Sequence, residues 1–256
     1  MSSLTADQYV ESILAKYAVP TGAYSEPERV ANAIAPIVRQ WAGPHLVSLN
    51  FSGSYAKGTP VHGGTDVDLF ISLNSNTPET LRQIYESLHG LAVRNMWAPR
   101  RQDVSIGIST RNLVVDLVPG KIQSGFQNYH SLYRSKTDSW TQTNVALHIS
   151  TIRDSQRTKE IRAIKIWRNL YRLDFPSFYL ELTVLDSLKG RATNTLSANV
   201  LHALRYIGTS LPSARVVDPA NTNNVISNDL EASAKRLIAN QAAASASKPN
   251  WGQIIW

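Results

Sequence analysis

FSGSYAKGTPVHGGTDVDLFISL, residues 51–73, is the stretch on which the reading of this chain turns. A strand-like run over 47–51 ends at Gly53-Ser54, and a short polar loop leads to Asp66 and Asp68. In a β-strand, residues i and i+2 share a face, so the two aspartates stand together while Val67 and Leu69 enter the opposite layer. Carboxylates that close, with no Lys or Arg beside them in the strand, repel and resist joint ionisation. A divalent cation removes that conflict, and hard oxygen donors suit Mg²⁺ (or Mn²⁺) bound together with phosphate. Gly53 lets the backbone approach a ligand and Ser54 offers a hydroxyl and an N–H, and oriented donors in such a turn bind phosphate oxygens. Taken singly, a Gly-Ser turn and an Asp-x-Asp strand end are ordinary features. Joined across strand, loop and strand, they are far more specific.

A third acid stands alone in an apolar run, Asp116 in LVVDLVP over 113–119. The runs 103–109 and 112–118, joined by Thr110-Arg111, read as a hairpin. A buried carboxylate without a partner costs several kcal/mol. Asp116 is therefore either half of a buried ion pair or a further metal ligand.

The Gly-Ser…Asp-x-Asp pattern resembles the nucleotidyltransferase superfamily of DNA polymerase β. GSYAKGT…GGTDVDLFISL is especially similar to two of its branches. One is the bacterial cGAS/DncV-like nucleotidyltransferases, which make cyclic di- and trinucleotides in antiphage defence. The other is the archaeal-type CCA-adding and poly(A) polymerases. The resemblance implies a third carboxylate on a neighbouring strand, and makes Asp66, Asp68 and Asp116 the catalytic and metal-binding triad for two ions. Asp66 and Asp68 touch both ions; Asp116 binds the one at the acceptor hydroxyl and accepts its proton. Gly53 and Ser54 then bind nucleotide. I-K-x-W…S-F-x-x-E, within 164–181, resembles the family's triphosphate clamp, so Lys165 and Ser177 are expected to hold the β- and γ-phosphates. Asn169 occupies the region where the uridine-using cyclic-dinucleotide branch reads a pyrimidine edge; the other reading is an exposed helix Asn. Tyr179 either stacks on a base or lies in a core, and His148 has only a loose counterpart in the tail-adding polymerases. VVDPANTNNVISND, 216–229, resembles the segment before the last helix of oligoadenylate-synthase-like and bacterial cyclic-nucleotide enzymes, although such Asn/Asp/Pro clusters form turns on their own account.

The implied fold is α+β: a polymerase β-like core with a mixed sheet and flanking helices over 1–150, and an intimately packed C-terminal helical lobe over 151–256. Apolar spacing predicts helices near 5–18, 25–42, 78–93, 157–174, 176–189, 195–208 and 227–246. Capping boxes are expected at Thr5/Gln8 and Ser25/Glu28. Residues 119–150 read as a loop-rich passage, and the apolar end WGQIIW is expected to dock or to meet a partner.

With 256 residues, 43% of them hydrophobic, the chain can bury a substantial core. A formal charge of +7 suits a polyanionic ligand. There are no cysteines, so neither disulfides nor a thiolate zinc site is available. No apolar run approaches the ~20 residues of a membrane span, and MSSLTADQYVESILAKY lacks a signal-peptide core, so a cytoplasmic location is expected. Tail-adding enzymes need surface for an RNA acceptor, and this chain ends soon after the helical lobe. The expectation is therefore a cyclic-oligonucleotide synthase, a cyclic dinucleotide its expected product. Its substrates are ATP and/or UTP, with GTP or CTP also open; it requires no nucleic acid and no membrane, and a protein regulator is open to it. The alternatives are a template-independent RNA nucleotidyltransferase, transfer of a nucleotide to a protein or antibiotic, and a catalytically dead nucleotide-binding module.

Overall fold

In the computed structural model, which describes residues 4–63, 66–110 and 113–256 (for Gln127 the backbone alone), the runs flanking the Gly-Ser turn are strands. β1, Leu46–Phe51, and β2, Val67–Leu73, pair antiparallel with Phe51 opposite Leu69. β2 also pairs in parallel with β5, Val114–Gln123. On its other edge β5 takes β4, Ile106–Ser109, antiparallel, which is the hairpin expected from 103–118. The two-residue β3, Arg100–Arg101, closes that side. The result is one mixed sheet, ordered β1-β2-β5-β4-β3.

Residues 119–150 depart from the loop-rich expectation. β5 runs on to Gln123, β6 (Phe126–Arg134) pairs with its far half, β7 (Ser139–Thr143) pairs with β6, and α5 (Val145–Arg153) follows. Pro119 and Gly120 read as breakers in sequence. Gly120 is in fact a packing residue, because a Cβ there would come within 2.6 Å of the Phe70 ring. Gly125, at φ +82°, makes the turn between β5 and β6.

One face of the sheet is closed by α2, Glu26–Ala42, and α4, Leu81–Arg94. Ile34, Val38, Ile84 and Leu88 bury against Val67, Leu69, Ile71, Val115 and Leu117. Full burial of each such side chain is worth about 1.5–3 kcal/mol. Thr80 and Gln83 form a reciprocal capping box that starts α4. At α2 only half of the expected box forms. Ser25 Oγ accepts from Glu28 N at 3.5 Å, but Ser25 N donates to Gly22 O at 2.9 Å instead of to the Glu28 side chain.

The chain divides into two compact units, 20–56 with 65–149, and 1–19 with 57–64 and 150–256. This differs from a single boundary at 150. Thr5 and Gln8 form the expected box at the head of α1, Ala6–Lys16. The apolar stripe of α1 (Val10, Ile13, Leu14) packs in the helical unit with Ile161 and Ile164, not behind the sheet. Asp7 Oδ1 also accepts from Ser197 N at 2.7 Å, and hydrogen bonding from the Ser197 side chain and then its backbone holds the carboxyl below the usual range. That unit is built from α6 (Thr158–Leu170), α7 (Ser177–Ser187), α8 (Leu196–Ser210) and α9 (Ala232–Ala246). The alanine richness of α9 has a packing cause: a Cβ on Gly208 of α8 would lie 3.1 Å from Ala243 N. Ile254 and Ile255 are buried in the same core, so the apolar end of the chain docks. Among the described residues, no helix is long and apolar enough to cross a membrane.

Candidate active site

The parallel register of β2 and β5 places Asp68 directly beside Asp116, on strands about 4.8 Å apart. Asp66 is exposed and sits one residue ahead of β2, so it flanks the strand that it was expected to occupy. Asp116 is half-buried. Its pKa is raised first by burial and then by the charge of Asp66, against an opposing hydrogen bond from Gln102 and the charge of Arg100. Among the described residues no Lys or Arg closes an ion pair with Asp116, which disfavours the buried-salt-bridge reading.

The carboxylate of Asp116 is held by a chain of side chains. Gln102 Nε2 donates to Asp116 Oδ1 at 2.9 Å, and Ser105 Oγ donates to Gln102 Oε1 at 2.9 Å. The buried Tyr85 donates its hydroxyl to Gln102 O at 2.6 Å. Since its oxygen accepts from Ser105, the amide of Gln102 must present nitrogen to the acid. Gly107, opposite Asp116 on β4, leaves room for this pair: a Cβ there would lie 2.7 Å from Gln102 Nε2 and 3.1 Å from Asp116 Oδ1.

Gly53 opens α3, Gly53–Lys57, at φ +53°. A Cβ on it would fall 1.7 Å from Asp68 Oδ2, so the close approach that requires glycine is to the aspartate itself. Ser52 N fastens the same turn by donating to Asp68 O at 2.8 Å. Ser54 follows in the helix, half-buried. Gly53→Ala is expected to lower both thermal midpoint and turnover, since the left-handed conformation and the clash each cost about 1 kcal/mol or more; an alanine variant with wild-type midpoint and rate would contradict this.

The donor set fits a divalent cation. Three hard carboxylates share one strand end, and the charge of Asp66 adds to the cost of ionising the half-buried Asp116. Among the described residues no three His, Asp or Glu side chains converge as a completed ligand set. A cation held by one or two carboxylates, with water and phosphate supplying the rest, does not require one.

The other expected nucleotide ligands lie in the helical unit, and there the structure corrects the reading. Lys165 is 1% exposed. Its Nζ donates to Glu181 Oε1 at 2.6 Å, to Thr59 Oγ1 at 3.0 Å and to Thr59 O at 3.2 Å. Lys57 Nζ meets the other oxygen of Glu181 at 2.5 Å, and Thr59 Oγ1 donates to Oε1 at 2.7 Å. Burial pulls the Lys165 pKa down to about 8 against the attraction of Glu181. Burial would raise that of Glu181, but Lys165 and Lys57 outweigh it and hold the carboxylate ionised. With two ammonium groups and a hydroxyl within hydrogen-bond distance, Glu181 is a carboxylate at neutral pH. Lys165 is thus a buried structural cation in this conformation, not a phosphate clamp.

Ser177 Oγ accepts from Arg168 Nη1 at 2.9 Å, and Asn169 Oδ1 accepts from Arg168 Nε at 3.0 Å. One buried guanidinium orients both. Asn169 is half-buried, so it is not a fully solvated helix residue. Tyr179 is fully buried against Phe175, ring centroids 5.1 Å apart, and cannot stack on a bound base. Its hydroxyl has no hydrogen-bond partner among the described residues, and burial, with Asp229 and Tyr206, pushes its pKa up to about 12. Tyr179→Phe is expected to leave nucleotide kinetics unchanged and to hold or raise stability by up to about 1 kcal/mol. A folded pKa above the unfolded one means that stability falls as pH rises from 10 towards 12. Alkaline melting of the Phe variant should show a smaller fall; an equal one would refute the burial argument.

His148 makes a backbone bond to Asn144 O at 3.0 Å in the first turn of α5, and nothing assigns it chemistry. Asp218 organises the Asn-rich segment as a turn, accepting from Ala220 N at 2.8 Å and Asn224 Nδ2 at 3.2 Å. Sequence reasoning missed Gln102, Gly107, Lys57, Arg168 and Glu181. Glu181 carried the same signal as Asp116, a lone acid in the apolar run FYLELTVL.

No family model matches the sequence, and no curated protein matches it. Solved structures do match over nearly the whole chain. The E. coli MS115-1 CdnC:HORMA-deltaN complex aligns at 18% identity and TM-score 0.77, covering 96% of this chain and 95% of that chain. The Bradyrhizobium diazoefficiens CD-NTase CdnG in complex with GTP aligns at 13% identity and TM-score 0.75, covering 97% and 95%. The Elizabethkingia meningoseptica CdnE cyclic dinucleotide synthase, with GTP and Apcpp, aligns at 11% identity and TM-score 0.70, covering 93% and 98%. At these identities the likeness is one of fold, and it matches the expected mixed-sheet, polymerase β-like architecture.

Proposed function

We propose that the chain is a nucleotidyltransferase that joins nucleoside triphosphates into a cyclic dinucleotide or trinucleotide, releasing pyrophosphate. The observation that carries this reading is the register pairing of Asp68 with Asp116, with Asp66 at the strand entry and Gly53 packed on Asp68. The fold shared with a cyclic dinucleotide synthase adds support. Two Mg²⁺ or Mn²⁺ ions held by Asp66, Asp68 and Asp116 would neutralise the triphosphate and lower the pKa of the attacking hydroxyl.

The protein's own part is positioning. Gln102, locked by Ser105, holds Oδ1 of Asp116. The carboxylate then accepts the proton of a ribose hydroxyl as its oxygen bonds to the α-phosphorus and the bond to pyrophosphate breaks. The α3 turn at Gly53-Ser54 supplies N–H and hydroxyl donors to phosphate oxygens. Ser177 and Asn169, oriented by Arg168, are the nucleotide contacts of the helical unit, Asn169 reading a base edge. Uridine among the substrates, a role in antiphage defence and control by a protein partner belong to the same reading.

The test is incubation of the protein with all four NTPs and Mg²⁺ or Mn²⁺, then phosphatase and mass spectrometry. A phosphatase-resistant product with the mass of two or three nucleotides less the waters of ring closure is expected. Extension of an added RNA without such a product would move the reading to the tail-adding enzymes.

A further inference from the structure

One register row runs from the carboxylates to the edge of the sheet. Asp68 on β2 pairs with Asp116 on β5, Asp116 with Gly107 on β4, and Gly107 with Arg100 on β3. Register partners share a face, so Arg100 stands on the side that carries the acids, its Cα ~10 Å from that of Asp116. The strand between them has no side chain in this row. A Cβ on Gly107 would lie 3.1 Å from Asp116 Oδ1 and 3.6 Å from Arg100 Nη2, so guanidinium and carboxylate both reach the space above that glycine.

The neighbours of Arg100 fix where it points. Arg101 takes the opposite face, donating to both carboxylate oxygens of Glu86 on α4 at 2.7 Å with its guanidinium over the Tyr85 ring. That bidentate pair sets the rotation of the two-residue strand. The turn before it is strained: Met96 and Ala98 have φ of +56° and +46°, and Ala98 immediately precedes Pro99. L residues seldom take this conformation, which persists only where the surroundings over-determine it. Trp97, between the two, packs on the sheet core, and its carbonyl accepts from Ser109 N at 3.2 Å. Arg100 itself is exposed, and among the described residues its guanidinium closes no ion pair. Burial and the charge of Asp66 raise the Asp116 pKa, and the Gln102 hydrogen bond and the charge of Arg100 oppose them.

We propose that Arg100 is the resident counter-ion of the carboxylates and couples metal binding to nucleotide binding. The proposal rests on the nucleotidyltransferase reading. Without metal, the guanidinium lies over Gly107 and offsets part of the charge of the three acids. A divalent cation that enters alone meets this positive charge and binds weakly. A triphosphate that enters with the cation gives the guanidinium a better anion, because Arg binds phosphate oxygens through paired N–H groups. Arginine suits the exchange, since it stays charged in both states and its exposed side chain turns at the sheet edge. Each ligand thereby strengthens the binding of the other, and by linkage the factor is the same in both directions. The carboxylates are kept from holding a metal that has no substrate beside it.

The experiment measures Mn²⁺ binding by electron paramagnetic resonance, alone and with the α,β-methylene analogues of the four NTPs, so turnover plays no part. Arg100→Gln and Arg100→Lys are compared with wild type, and Arg94→Gln on α4 repeats the loss of charge away from the row. Arg100→Gln is expected to bind Mn²⁺ alone about 3–10-fold more tightly, the effect of removing a unit charge ~7 Å from a dication in near-aqueous surroundings. The gain in Mn²⁺ affinity on adding an analogue should shrink by at least that factor. Arg100→Lys should match wild type with Mn²⁺ alone and recover part of the coupling, and Arg94→Gln should match wild type throughout. A variant that merely loosened the site would bind Mn²⁺ more weakly in both conditions. That result, unchanged affinity in Arg100→Gln, or an equal gain in Arg94→Gln would each overturn the counter-ion role. If wild type binds Mn²⁺ with an analogue and Arg100→Gln behaves the same, the inference alone fails. If wild type binds no Mn²⁺ even with the analogues, the nucleotidyltransferase reading fails, and the inference with it.

Discussion

Asp116→Asn is expected to cut nucleotide joining by about 10²–10⁴-fold or more, while the protein stays folded. The amide is nearly isosteric and its oxygen can still accept from Gln102, so the local packing survives. What disappears is a negative charge beside Asp68 and the ability to take a proton from the attacking hydroxyl. The stability effect runs the other way. Burial and Asp66 raise the Asp116 pKa above its unfolded value. Folding therefore favours the protonated acid, and stability falls as pH rises through the carboxylate range and remains lower at neutral pH. In chelator at pH 7 the Asn variant should melt at the same temperature as wild type or higher, with the difference closing in acid. Adding Mg²⁺ with NTP should then raise the wild-type midpoint more than the variant's, because binding to the folded state stabilises by mass action. Pyrophosphate release and thermal melting check both parts. A fully active Asp116→Asn protein would remove the carboxylate from the mechanism.

The largest effect on stability is expected at Glu181. Its 0% exposed carboxylate joins Lys57, Lys165 and Thr59. Glu181→Ala leaves two buried ammonium groups without their counter-charge, and breaking such a pair costs about 3–5 kcal/mol. Lys165→Met is the informative comparison. It removes one cation of similar length while Glu181 keeps Lys57 and Thr59, so a cost of about 2 kcal/mol or less is expected, with little change in KM for NTP. Urea unfolding of both variants, with steady-state kinetics on Lys165→Met, decides the matter. A steep rise in KM at unchanged stability would return Lys165 to the phosphate-clamp reading; a Glu181→Ala protein as stable as wild type would dissolve the buried cluster.

The two predictions rest on acids of the same sequence type, each alone in an apolar run, yet they do opposite jobs. Asp116 lies beside two further carboxylates and has no cation within ion-pair distance among the described residues, a charge excess suited to metal and phosphate. Glu181 lies between two lysines from distant parts of the chain and is already satisfied. Nothing local separates them; only the partners brought by folding do. The same holds for Lys165 and Tyr179. A lysine and a tyrosine on helices are compatible with a ligand site or with a core, and burial settled both towards the core.

The sequence by itself determined what depends on spacing along the chain. The period-two pattern around 67–71 set the face on which Asp68 stands, the hairpin over 103–118 put Asp116 on a neighbouring strand, and Thr5 with Gln8 set the start of α1. These follow from the pleat of a strand and the orphan N–H groups of a helix, which act over a few residues. Tertiary structure alone decided the register that sets Asp68 against Asp116, the allegiance of α1 to the helical unit, the continuation of the sheet through Gly120, and the pairing of Glu181 with both lysines. Each of these depends on which distant surface fills a given space or neutralises a given charge, and close packing and Coulomb attraction act through space rather than along the sequence.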